Sequence, residues 1–216
     1  MKLPVVLGLV LTLLMLFPRC VVASVAAPSG GDVVTIGGDP DALGGQIDLY
    51  VDPLCPPYSG KMIRSQGSEI GRRIEDGSLR VNLRFVNFLE KYSASGTYDA
   101  RAIGAAFVVA GQSGASDVTW RFVQQIFSAE QQPHEGGATD LSNDQLAGLA
   151  ASVGAPPGAV DQIRVGVFLG YDPQAIAASN LAVLHTFPEP GCRPSLSAGS
   201  RWMGSRIGWR GCRGES

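Results

Sequence analysis

Two histidines in 216 residues leave little to build a metal centre with. His134 and His185 stand far apart, and neither has the short spacing to a cysteine or carboxylate that a zinc site needs, so no metal is expected. Positive charge is scarce as well. Lys and Arg total 17 against 19 Asp and Glu, a formal net charge of -2. A chain without a basic field is a poor match for a phosphate backbone, which excludes nucleic acid as a partner. Long apolar runs are confined to Leu3–Phe17, interrupted by Pro4, Gly8 and Thr12. That run falls short of the roughly 20 residues of a bilayer-spanning helix. No internal repeat is present, and the Gly-rich stretches at 136–137 and 204–214 lack the strand–loop–helix setting of a phosphate loop.

The amino-terminal end has the order of a targeting segment. Lys2 precedes the apolar run, Pro18 and Arg19 stop it, and the small residues Ala23, Ala26 and Ala27 follow. Residues 1–26 therefore read as a secretory signal peptide, or as an uncleaved anchor that would associate with a membrane through residues 3–17. Arg19 occupies the position where lipidation at Cys20 would require a small residue. Either reading gives an extracytoplasmic protein, secreted or membrane-anchored, whose cysteines can stay oxidised. Removal of the leader would leave Cys55, Cys192 and Cys212, an odd number that implies a free thiol or a partner on another molecule.

A hydrophobic fraction of 45% is enough for a core. Val33–Ile36 and Ile47–Val51 read as strands, with a turn over Asp39–Gly45 between them. A helical stretch runs to about Glu75, with Ile63, Ile70 and Ile74 on one stripe. Leu79–Phe85 alternates, with Leu79, Val81, Leu83 and Phe85 directed one way and Arg80, Asn82 and Arg84 the other, as in a strand with one buried face and one solvated face. Strand, crossover and strand form a parallel βαβ unit. Helices follow over 99–111, 116–129, 142–154, 157–168 and 172–185. Ser142 and Gln145 have the spacing of a capping box, and Asp172-Pro173 that of a cap with a first-turn proline. Pro188, Pro190 and Gly191 break the pattern. A short hairpin over 195–199 and 201–203 precedes an irregular tail at 205–216. The class is α/β, with a helical block inserted between the strands.

Cys55 falls where a buried strand stops and a helix starts. Free N–H groups and the positive end of the helix dipole stabilise a thiolate at such a position and lower its pKa. Pro56 and Pro57 suit a first helical turn because they have no N–H to satisfy. The bland alternative is a small buried hydrophobe at a strand end.

Asp52-Pro53-Leu54-Cys55-Pro56-Pro57 resembles the active-site motif of DsbA-like thiol–disulfide oxidoreductases in the thioredoxin superfamily. The order of elements over residues 33–204, with a helical insertion at about 97–186, is similar to that family as well. The resemblance implies a thioredoxin fold with an inserted helical subdomain and Cys55 as the nucleophile. It implies a substrate groove formed by Pro56, Pro57, Tyr58, Arg193 and Pro194, with Pro194 in the place of the family's cis-proline. No bound cofactor is implied, and the expected partners are cysteine-containing exported proteins or a small-molecule thiol. The chain departs from the pattern at two places. Tyr58 replaces the second cysteine of Cys-x-x-Cys, so release of a mixed disulfide would require another thiol. The family's closing helix is missing after residue 204. Cys192 stands two residues before Pro194 and has two readings, as a substitute resolving thiol for Cys55 or as a structural disulfide with Cys212. A redox-inactive peptide-binding module on the same fold is the alternative function.

Overall fold

The computed structural model describes residues 31–38 and 45–187. The expected leader, the turn residues 39–44, the terminal hairpin and tail, and with them Cys20, Cys192, Arg193, Pro194 and Cys212, lie outside the described residues.

Three strands form the described sheet: β1 (Val34–Ile36), β2 (Gly45–Val51) and β3 (Leu79–Phe85), in the order β1-β3-β2. β3 pairs antiparallel with β1, Val34 opposite Leu83, and parallel with β2, Val51 opposite Phe85. The parallel pair expected from the crossover is therefore present. Leu79, Val81, Leu83 and Phe85 are buried, as the alternation requires. The opposite face is less open than expected. Arg84 Nε lies 2.8 Å from Asp48 Oδ1, with both side chains about three-quarters covered. Its Nη1 donates to Asn180 of the last helix at 3.4 Å. A helix covers this face, so the expectation of a simply solvated side fails at Arg84.

The helices are α1 (Lys61–Glu75), α2 (Tyr98–Ser113), α3 (Ser116–Ile126), α4 (Asn143–Ser152), α5 (Pro157–Val165) and α6 (Pro173–His185). Ile63, Ile70 and Ile74 of α1 are buried as a stripe. Every residue of α2 from Ala102 to Val109 is buried, which makes it the central helix of the inserted block. Phe107 on α2 meets Phe85 of β3 ring to ring and so joins the insertion to the sheet. Trp120 Nε1 of α3 donates to Gly67 O of α1 at 2.9 Å. The capping box at Ser142 and Gln145 forms as expected, and Asp172 caps α6 through the N–H groups of Gln174 and Ala175.

Two helices are shorter than periodicity suggests. α3 ends at Ile126 instead of 129. α5 ends at Val165 instead of 168 because Gly166 takes a left-handed conformation, φ 69°. Phe168 is thereby freed from the helix and lays its ring against Gly104 of α2, where any Cβ would collide with it. On α6, the fully buried Asn180 donates to the carbonyls of Asp32 and Phe85, at 2.8 and 3.0 Å. Ser179 adds a bond to the Asp32 carboxylate.

Candidate active site

β2 runs out at Val51 and delivers Asp52-Pro53-Leu54-Cys55 to the end of the sheet. Cys55 immediately precedes a single π-helical turn, Pro56–Gly60, which continues directly into α1. Gly60 N–H closes the turn onto Cys55 O at 3.0 Å. Neither proline has an N–H to leave unpaired. The sequence suggested an ordinary helix start; the structure has a widened turn, a feature common at functional sites. Cys55 is thus at a helix mouth, as predicted, and it is 1% exposed. Pro57 is exposed, Pro56 is half-buried, and Tyr58 is half-buried with its ring against the core. Cys55 is disulfide-bonded, and the other three cysteines all lie outside the described residues.

Behind Cys55 sits a pair of carboxyl groups that sequence reasoning did not single out. Asp52 is 1% exposed, and all its polar groups are engaged. Oδ1 accepts Leu54 N–H at 2.9 Å and Oδ2 accepts Leu89 N–H at 3.1 Å. Its own N–H donates to Ser59 Oγ at 3.0 Å, and its carbonyl accepts Cys55 N–H at 3.1 Å. Asp99, in the first turn of α2, is fully buried beside it. As a carboxylate, Asp99 would have no donor for either oxygen. A proton on Asp99 resolves this by supplying a hydrogen bond to Asp52. Burial pushes Asp99 far above the ordinary carboxyl range, and the charges of Asp52 and Glu90 push it further. Burial raises Asp52 as well, opposed by the Leu89 and Leu54 N–H groups. Two dry carboxylates in contact repel, so the pair retains a proton that separate aspartates would lose at neutral pH.

Two further contacts flank the turn. Gln132, buried in the loop after α3, donates through Nε2 to Pro53 O at 2.9 Å. Its Oε1 accepts Arg64 Nη1 at 2.9 Å, and Arg64 Nη2 donates to Pro56 O at 3.1 Å. Of these residues, the sequence carried a readable signal for Asp99 alone. It shares a stripe with Ile103 and Phe107, where a carboxyl should be buried. Gln132 in a polar loop and Arg64 on an exposed helix face carry no such mark. His134 is exposed in its loop and His185 ends α6; neither belongs to the site. Among the described residues no cluster of three or more His, Cys, Asp or Glu could hold a metal, and no helix is long and apolar enough to cross a membrane.

The fold is of a recognisable class: an α/β, DsbA-type thioredoxin-like arrangement with a helical insertion. Solved structures of that type are its neighbours. MdbA, a thiol-disulfide oxidoreductase from Corynebacterium matruchotii, superposes with a TM-score of 0.61 at 24% identity, over 77% of this chain and 78% of that one. Oxidised DsbA of Mycobacterium tuberculosis gives 0.60 at 25% identity, over 77% and 86%. Reduced DsbG of the same organism gives 0.59 at 26%, over 74% and 76%. In sequence, the chain is 39% identical over 124 residues to the serine/threonine-protein kinase PknE of Mycobacterium tuberculosis, a match covering 57% of this chain and 22% of the kinase. PknE of Mycobacterium bovis matches to the same degree. The chain thus spans about a fifth of the length of these curated relatives. No family model matches it.

Proposed function

We propose that the chain is an extracytoplasmic thiol–disulfide exchange protein of DsbA type that acts through Cys55. The observation that carries this reading is the placement of Cys55 at the mouth of the helix that begins at Pro56, in a neighbourhood built to hold its backbone. The disulfide on Cys55 sets aside the reading of a mere buried hydrophobe, which would have no sulfur partner. A client thiolate attacks the Cys55 disulfide, forms a mixed disulfide with Cys55 and releases the partner sulfur as a thiolate. A second client thiolate then attacks the mixed disulfide, so that the client leaves oxidised and Cys55 leaves reduced.

Tyr58 cannot supply the second sulfur. Cys192, two residues before Pro194, is the substitute we propose, and Arg193 and Pro194 complete the groove with Pro56, Pro57 and Tyr58. The clients are extended cysteine-containing segments of exported proteins, or a small-molecule thiol attacking in their place, and an external disulfide takes up the electrons and restores the Cys55 disulfide. Residues 1–26 serve as export signal or anchor.

The test is alkylation of the reduced full chain at a series of pH values, with the Cys55 peptide followed by mass spectrometry. Cys55 is expected to titrate below the free-thiol value of about 8.5. Peptide mapping of the unreduced chain is expected to join Cys55 to Cys192. A thiol that titrates normally or never reacts would assign the chain to the second reading, a peptide-binding module without redox activity, which the tyrosine at position 58 favours.

A further inference from the structure

Gly60 poses a question of its own. Its backbone is an ordinary right-handed helical conformation, φ -62° and ψ -47°, open to any residue. Glycine costs a helix about 1 kcal/mol relative to alanine, so its presence there calls for a reason other than conformation. The reason is space. A Cβ on Gly60 would collide with Gln132 Oε1 and crowd Arg64 Nη1.

The vacated space holds a bridge between three segments. Gln132 is 6% exposed, on the loop that follows α3. Its amide orientation is fixed by chemistry, since Nε2 faces the Pro53 carbonyl and Oε1 faces the Arg64 guanidinium. Arg64 spreads its donors over Gln132 Oε1, Phe127 O and, through Nη2, Pro56 O. The bridge therefore grips the residue two before Cys55 and the residue directly after it. It also carries a permanent positive charge to the first turn, one peptide unit from Cys55. A cation beside a thiol favours the thiolate, and a guanidinium held by its fork keeps that geometry better than an ammonium.

We propose that Gln132 and Arg64 are positioning residues for Cys55: the amide of the inserted subdomain holds the guanidinium against the Pro56 carbonyl, where its charge favours the Cys55 thiolate. The proposal rests on the exchange function given above for Cys55. It makes the helical insertion part of the reactive site, and it assigns a glycine, a glutamine and an arginine that no cysteine motif contains.

The experiment is the pH series of Cys55 alkylation in the reduced full chain, run on wild type and three variants, with thermal melting as a fold control. In Arg64→Gln the thiolate fraction at a fixed pH below the titration midpoint is expected to fall about threefold, the size of effect a screened surface charge has on a near neighbour. Arg64→Lys retains most of the wild-type profile. Gln132→Glu keeps a partner for Arg64 but neutralises its charge and turns an acceptor towards Pro53 O; it is expected to lower the thiolate fraction at least as much as Arg64→Gln, and it carries the test if that variant does not fold. Raising the salt concentration narrows the difference between wild type and Arg64→Gln. Profiles for Arg64→Gln and Gln132→Glu that overlay a wild type titrating below the free-thiol value would overturn the proposal and leave the exchange function standing. A wild type that titrates as a free thiol would overturn the exchange function itself.

Discussion

Asp99, on the inserted helix α2, is buried beside Asp52, three residues ahead of Cys55, and neither of its carboxyl oxygens meets a donor. A proton held between the two carboxyls would join the insertion to the loop that carries the sulfur. Both groups titrate above their ordinary range because burial disfavours the charged forms.

Stability should depend on pH through this pair. An unfolded aspartate releases its proton near 3.9, while the folded pair retains one well above that. The folded chain therefore binds more protons, and its advantage is complete below about pH 4 and lost as pH rises through the raised values. We expect the melting temperature to be highest in mild acid and to decline towards alkaline pH. In Asp99→Asn the amide donates in place of the proton, and the decline flattens. Thermal melts across that range check this; a decline equally steep in the variant would show that Asp99 does not hold the proton.

Tyr58→Cys places a second sulfur in the first turn. Because a nearby thiolate frees a mixed disulfide far faster than an external one, we expect turnover in a dithiothreitol-driven disulfide reduction assay to rise on the order of tenfold when the substitution is made in a Cys192→Ser chain, which lacks the proposed substitute sulfur. Turnover unchanged by the substitution would mean that the widened turn directs position 58 away from the sulfur.

Gly104→Ala drives a methyl group into the Phe168 ring, and overpacking of this kind costs about 1–3 kcal/mol. Gly148→Ala, on α4 where nothing lies within 4 Å, should stabilise by about 0.5–1 kcal/mol through helix propensity. Urea denaturation of the two variants should shift the midpoint in opposite directions.

Asn180→Ala removes both donors from the carbonyls of Asp32 and Phe85 and the acceptor from Arg84. Leaving such buried groups unpaired costs about 1–3 kcal/mol each before water compensates. We expect loss of cooperative stability together with faster hydrogen exchange at the end of β3; exchange there at the wild-type rate would argue that water replaces the amide.

Much of this architecture can be read along the chain. The alternation of Leu79–Phe85, the stripe Ile63, Ile70 and Ile74, the capping box at Ser142 and the helix mouth at Cys55 are all local patterns, and local patterns survive folding. Helix ends were less legible, because a glycine such as Gly166 stops a helix only when tertiary space for Phe168 rewards stopping there. The π-turn at Pro56–Gly60 was invisible, since no residue preference separates it from an α start. Asp52 with Asp99, and Gln132 with Arg64, lie 47 and 68 positions apart, and only the folded chain brings them together.

The grip of α6 on Asp32 bears on how the domain would respond to tension. Asp32 leads into β1, a short strand at the edge of the sheet among the described residues, which alone would peel away under a pull from the chain ahead of it. With Asn180 and Ser179 fastening Asp32, such a load passes sideways into α6 and, through the Phe85 carbonyl, into the central strand. Val51, the last residue of β2, lies opposite Phe85, so a load entering at Asp32 meets α6 at the same end of the sheet as the Cys55 turn, and α6 would have to give way before the strain reached that turn.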